Sequence, residues 1–291
     1  MKRKFAATLA EPVLKPGDWE RLHGHRRTAG GGISKRAALV PGASTKYLLS
    51  HCTIMASVQT EAEPYDYLIK PECSHLVNNN EDAWTNEVLE LSHKTFRGGF
   101  NFVEHFQNSQ ASKGHILDSV LRKVVIADDV WVYFCDILVA TDLRHEELVE
   151  DIRKGNVRYL SMGCVTDLVV CSYCGQRLGD YTQPCFHLAY HKGHFLPDDD
   201  GVARRVAELC GHKSLPGGGV RFVEASWVET PAFPGAVKRS IIAEDWEGPV
   251  VQLKRSKEAG IKKAASSESQ LSTHSIEIAA SKADLNSRLG R

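Results

Sequence analysis

The stretch from Val157 to Val170 constrains the fold most, because its side chains alternate in character from one residue to the next. Leu160, Met162, Cys164, Leu168 and Val170 occupy one set of positions. Tyr159, Ser161, Gly163, Val165 and Asp167 occupy the other. A period of two is that of a β-strand with one face in a core. The alternation turns Ser161 away from the apolar face, beside a residue without a side chain. A hydroxyl there is either a structural strand serine or an accessible nucleophile, and only an activating base elsewhere separates the two.

Other segments extend the pattern. Tyr47 to Val58 reads as a strand, and Tyr65 to Lys70 as a short one stopped by Pro71. Phe100 to Phe106 follows Gly98-Gly99, Val130 to Ala140 is strongly apolar, and Val220 to Glu229 ends at Pro231. Residues 116–126 are mixed and receive no assignment. Asn80-Glu81-Asp82 is expected to cap a helix reaching Leu91, with Trp84, Val88 and Leu91 on one face. Asp142 is expected to cap a second helix, containing Leu143, Leu148 and Ile152 and ending at Gly155. Many strands with few helices predict an α+β, mainly β domain. The core is expected over 46–170 and 213–247, interrupted by a Cys/His-dense insertion at 171–212. Residues 1–45 read as a disordered basic tail and 248–291 as a low-complexity one.

The formal net charge is zero, so composition gives no argument for a polyanionic partner, and no direct nucleic-acid binding is expected. There is no run of eighteen apolar residues, so no membrane span is expected. The first ten residues are basic, but their short apolar stretch ends at Glu11-Pro12 and reads as a tail, not a signal peptide. Of eight cysteines, Cys52, Cys73, Cys135, Cys164 and Cys210 are scattered, several in apolar runs, as suits reduced buried thiols.

His105 is the best-placed base. Regular alternation puts it on the face of Asn101 and Val103, at a strand end before a polar loop, where a surface histidine is the plainer reading. A neutral imidazole also needs a partner on its second nitrogen. Asp167 shares the Ser161 face but lies six residues on, roughly 20 Å along a strand and too far for one site. Glu224 is preferred, as a carboxylate inside the apolar run Phe222 to Val228, although a structural ion pair explains such a residue equally well. Asp136, between Cys135 and Ile137, is the second choice.

Cys171-Ser172-Tyr173-Cys174-Gly175 places two thiols on one tight turn, and Cys185-Phe186-His187 follows after ten intervening residues. Four soft or borderline ligands at this spacing fit a tetrahedral structural zinc site. The favoured set is Cys171, Cys174, Cys185 and His187, with His191, His194, Cys210 and His212 as competitors for the fourth place. A metal-free thiol cluster and a redox pair are the alternatives, the latter lacking its βαβ context. The insertion has few large apolar residues and is expected to be loose without metal.

Taken in order, four segments resemble the tailed-phage prohead proteases, capsid-maturation serine proteases related in fold to the herpesvirus assemblins. They are Asn101 to Phe106 with Ser112 to Asp118; Asp136 to Asp142 leading to His145–Val149 and Ile152–Gly155; Leu160-Ser161-Met162-Gly163-Cys164; and Phe222 to Ala236, which carries Glu224-Ala225-Ser226 and Pro231-Ala232. The resemblance covers residues 45–245. It implies an assemblin-like β-barrel or sheet core with flanking helices, here carrying an inserted zinc knuckle. It also implies His105 as base, Ser161 as nucleophile and Glu224 as third member, with backbone N–H groups near Met162-Gly163 as oxyanion donors. The arginine and glycine that help the assemblins at that step have no counterpart beside Ser161. The implied substrates are scaffold and major capsid proteins, cut inside a prohead assembled in the host cytoplasm, with a homo-oligomer compatible with this role. Leu9-Ala10-Glu11 and Ile242-Ala243-Glu244 fit the glutamate preference of some relatives and are candidate self-cleavage sites. The alternative reading is a non-enzymatic zinc-binding module of a capsid or nucleoprotein assembly, weakened by the presence of only Arg177 and Lys192 as positive charges in 171–194. A metalloprotease lacks its His-Glu-x-x-His, and a cysteine protease using Cys164 needs a residue that faces the core.

Overall fold

The computed structural model describes residues 37–108, 111–179 and 183–253. The candidate cleavage site at Leu9-Ala10-Glu11, the tail before residue 37 and the tail from 254 onward lie outside the described residues.

The chain is mainly β, as the alternating patterns require. Its strands in order are β1 (Ala37–Ala56), β2 (Asp82–Ala83), β3 (Phe100–Val103), β4 (Gly114–Ala127), β5 (Val130–Asp142), β6 (Tyr159–Thr166), β7 (Val169–Cys171), β8 (Arg177–Leu178), β9 (Phe195–Pro197), β10 (Ala203–Arg205), β11 (Glu208–Cys210), β12 (Val220–Val228) and β13 (Val237–Leu253). Seven of them close into a barrel in the order β1-β13-β6-β12-β3-β4-β5. All the barrel pairings are antiparallel except β3 beside β12, which is parallel. The seam between β6 and β13 consists of a single residue pair, Val237 opposite Tyr159.

Among the described residues three short α-helices accompany the barrel: α1 (Asn86–Ser92), α2 (Glu146–Lys154) and α3 (Phe186–Tyr190). Val88 and Leu89 of α1 and Val149 and Ile152 of α2 join Leu160, Phe222 and Trp227 in the main apolar core. Gly155 ends α2 as expected, at φ 81°, a left-handed conformation that favours glycine.

Several expectations are corrected. The residues expected to start a helix at Asn80 instead form a turn leading into β2 (Asp82–Ala83), and α1 begins at Asn86, capped by the Thr85 hydroxyl, which accepts from Val88 N–H. Tertiary pairing of Asp82 and Ala83 with β11 overrides the local helix signal. Leu91 is exposed, and Val88, Leu89 and Ser92 form the buried side. Asp142 ends β5 and accepts from Arg144 N–H, with α2 starting only at Glu146. Tyr65 to Lys70 folds as successive turns with one isolated bridge, Thr60 to Ile69. The unassigned residues 116–126 belong to β4, paired with β5 along almost its whole length. β1 starts at Ala37 and β13 continues to Leu253, so the described barrel strands reach into both segments expected as tails. Ile242-Ala243-Glu244 lies within β13, with Ala243 paired to Leu49 and Glu244 ion-paired to Arg153 at 2.7 Å.

The insertion does not stand alone. β7 pairs with β11, closing its base, and β2 from the preceding chain adds to form a four-stranded sheet β2-β11-β7-β8. Lys192 reaches Asp82 at 3.0 Å and Glu208 at 2.9 Å, and Arg205 reaches Glu81 at 2.6 Å. A small apolar cluster, including Val169, Leu178, Leu188 and Val206, packs around Cys171 and Cys185.

Candidate functional site

β6 and β12 lie side by side, with Ser161 opposite Ser226, Met162 opposite Ala225 and Leu160 opposite Trp227. A β-bulge shifts the register between Phe222 and Glu224. One extra residue in a strand inverts the phase of its alternation. Phe222 therefore joins the core with Ala225 and Trp227, while Glu224 and Ser226 fall on the opposite face with Ser161 and Gly163. An unbroken strand would have put Phe222, Glu224 and Ser226 on one face. The bulge thus allows a carboxylate next to the Ser161 strand without opening the core.

His105 arrives by a similar departure from regularity. β3 ends at Val103, and Glu104 and His105 both adopt positive φ, 48° and 55°. Two successive left-handed residues turn the chain back, a conformation uncommon outside glycine. The expected alternation, with His105 on the face of Asn101 and Val103, does not hold. Instead His105 Nδ1 lies 2.8 Å from Glu224 Oε1. The histidine side chain is 41% exposed and the glutamate 1%. The hydrogen bond to Glu224 raises the imidazole pKa, against the opposing effect of burial. The second carboxylate oxygen, Oε2, accepts from the Ser226 hydroxyl at 2.6 Å.

Gly163 explains how the carboxylate fits. A Cβ built on Gly163 would stand 2.6 Å from Glu224 Oε1 and 3.1 Å from Gln107 Nε2. Its missing side chain makes room for Glu224. Ser161 is 6% exposed and sits across from Ser226, where cross-strand Cβ atoms are typically about 5 Å apart. Among the described residues Ser161 has no hydrogen bond to His105. Comparison with known families, curated proteins and solved structures gave no match.

The competing acids are placed elsewhere. Asp136 is fully engaged by Thr53 Oγ1 at 2.7 Å, Arg122 Nε at 3.1 Å and His51 Nε2 at 3.5 Å. Burial pushes its carboxyl up, but the His51 and Arg122 contacts outweigh this and hold it below the usual range. Asp167 lies past the end of β6. Cys164 packs against the main core, and burial raises its thiol to about 12, which leaves it a poor nucleophile. Sequence alone assigns no role to Ser226 or Gln107. The Glu-x-Ser spacing is visible there, but its meaning depends on the bulge, which has no composition signature.

In the insertion, Cys171, Cys174, Cys185 and His187 come together, their potential ligand atoms all within 4.8 Å of one another. Cys171 ends β7, and Gly175 N–H returns to its carbonyl at 3.0 Å, forming the tight turn. Gly175, at φ 70°, packs so closely on Tyr67 that a Cβ would stand 2.7 Å from the ring. Cys185 caps α3, which carries His187 two residues later. His187 Nδ1 is buried and has no hydrogen-bond partner among the described residues. Burial raises the Cys171 thiol to about 12 and also raises that of Cys174. A tetrahedral site with bonds of about 2.3 Å has ligand atoms about 3.8 Å apart, so these donors fit a divalent metal with little movement. The competing ligands fall outside this cluster: His191 and His194 meet edge to face at 5.9 Å between ring centres, Cys210 lies in the main core, and His212 bonds Ser214.

Proposed function

We propose that this chain is a serine endopeptidase of the prohead-maturation type, with an assemblin-like barrel and a structural zinc ion in its insertion. The observation that carries the proposal is the buried Glu224 carboxylate bonded to His105 Nδ1, on the face that also bears Ser161. With Nδ1 committed to Glu224, Nε2 is the nitrogen left to receive a proton. In the proposed reaction Ser161 Oγ attacks a peptide carbonyl carbon as its proton passes to His105 Nε2. His105⁺ then protonates the leaving amine as the C–N bond breaks, and water hydrolyses the acyl-enzyme with His105 again as base. Closure of the Ser161–His105 distance belongs to the substrate-bound state, since such bonds are commonly long without substrate.

The barrel seam supports the reading. Beyond Tyr159 the β13 side of β6 has no strand partner among the described residues. Leu160 N–H points to that side and Asp167 N–H to the β12 side, so the polar backbone groups of Met162 and Cys164 face the open edge. An extended substrate can pair there as an added strand. The proposed substrates are scaffold and capsid proteins within a prohead. Zinc would be held by Cys171, Cys174, Cys185 and His187, and with four protein ligands it would fix the insertion and take no part in hydrolysis.

The test is to co-express the chain with its scaffold protein and follow both by mass over time, against Ser161→Ala. Cleavage by wild type alone is the expected result. Identical, uncut proteins in both cultures would end the protease reading and leave the non-enzymatic metal-binding module in its place.

A further inference from the structure

We propose that Ser226 is a positioning residue that acts through Glu224, an assignment that rests on the protease reading. Its side chain is fully buried. It is also the only group that an observed hydrogen bond joins to Oε2 of Glu224 among the described residues, at 2.6 Å. The other oxygen holds His105. A carboxylate with two different donors on its two oxygens cannot rotate about its terminal bond without losing one of them. Ser226 therefore fixes the plane in which Oε1 meets His105 Nδ1.

The bulge between Phe222 and Glu224 gives this assignment its structural basis. It places two polar residues, Glu224 and Ser226, on the face of the nucleophile strand, and leaves Ala225 and Trp227 to the core. Ser226 is also the residue directly across from Ser161. The two serines are nonetheless distinct in chemistry. The Ser226 hydroxyl is donated to an anion in a sealed site, whereas Ser161 borders the open edge of β6. Ser226 thus orients the acid and does not compete as nucleophile.

Ser226→Ala removes one atom and lets the buried carboxylate either swing away from His105 or take up a proton. Both outcomes remove a fixed anion from Nδ1. Three readouts follow. The His105 pKa, followed by NMR with His105→Gln for assignment, should fall towards its ordinary value. The value of kcat should fall on the order of tenfold to hundredfold with KM little changed, as for a loss of reactive geometry. In a Glu224→Gln background, adding Ser226→Ala should cost little more, because both changes act on one element. Ser226→Thr, which keeps the hydroxyl, should restore the His105 pKa. An unchanged His105 pKa in Ser226→Ala, or losses that add fully in the double variant, would overturn the proposal. The NMR arm needs no substrate. If wild type shows no Ser161-dependent cleavage, the protease reading fails while the pKa comparison still judges Ser226.

Discussion

Replacing Gly163 by alanine tests the geometry of the site directly. Gly163 carries no positive φ, so its backbone accepts alanine, and the substitution acts through space alone. The new Cβ would stand 2.6 Å from Glu224 Oε1, where ordinary contact begins at 3.4 Å, so the carboxylate must retreat by about 0.8 Å. Directed away from the imidazole, that retreat lengthens the 2.8 Å bond to His105 beyond 3.5 Å, where it is no longer a hydrogen bond. A displacement near 1 Å of a reacting group lowers rates by roughly 100-fold, or about 2.7 kcal/mol of barrier. The assay is kcat/KM on scaffold protein together with the His105 pKa by NMR. Gly163→Ala should lower both, while thermal unfolding shows an intact fold. If activity falls but the His105 pKa does not move, Gly163 serves the approach of substrate or oxyanion, and its role in seating Glu224 is refuted. Wild-type values for both would remove Gly163 from the site altogether.

Three further outcomes are expected. In the proposed reaction His105 is neutral when it acts as base, and Glu224 raises its pKa, so kcat/KM should climb with pH through a midpoint above 6.5; Glu224→Gln should move that midpoint down. The same sign makes the His105–Glu224 pair stabilising at low pH, with the contribution lost as pH rises through the folded-state pKa. One zinc per chain is expected by elemental analysis, with Cys174→Ser or Cys171→Ser losing it. Hydrogen exchange should then quicken in 171–210 but not in β4 or β5. Asn101→Ala should destabilise the fold by about 1–3 kcal/mol in urea, because it strips a buried donor from the Ala225 carbonyl, at 2.8 Å, and leaves Trp227 Nε1 only the longer bond to Thr141 Oγ1, at 3.3 Å.

The strands were legible where one face is apolar and the other is not. β6 follows directly from that alternation, β5 and β12 are marked instead by their apolar runs, and Gly155 announces the end of α2. The Cys/His cluster was legible because its four residues are close in sequence, so their spacing already encodes the turn and the cap that bring them together. The parts that misled are those where regularity breaks. The bulge before Glu224 and the two left-handed residues Glu104 and His105 each move a candidate side chain to the opposite face from the one its sequence parity assigns. Neither carries a glycine or proline to give it away. Asp82 and Ala83 look like a helix start because their true partner, β11, lies far along the chain.

The pairing of β7 with β11 has a consequence for how this chain can vary. Glu208 sits opposite Cys171, and Ser172 and Ala207 bond each other just beyond, at 3.0 Å between backbones. The insertion therefore leaves and rejoins the barrel through a two-stranded stem whose ends are already side by side. A chain that replaced everything beyond the stem with a tight turn would keep β6 and β12 in register, with Ser161 and Glu224 in their places. The Cys/His lobe is in this sense attached to the barrel strands through one stem, although β2, Glu81 and Asp82 of the preceding chain also hold it.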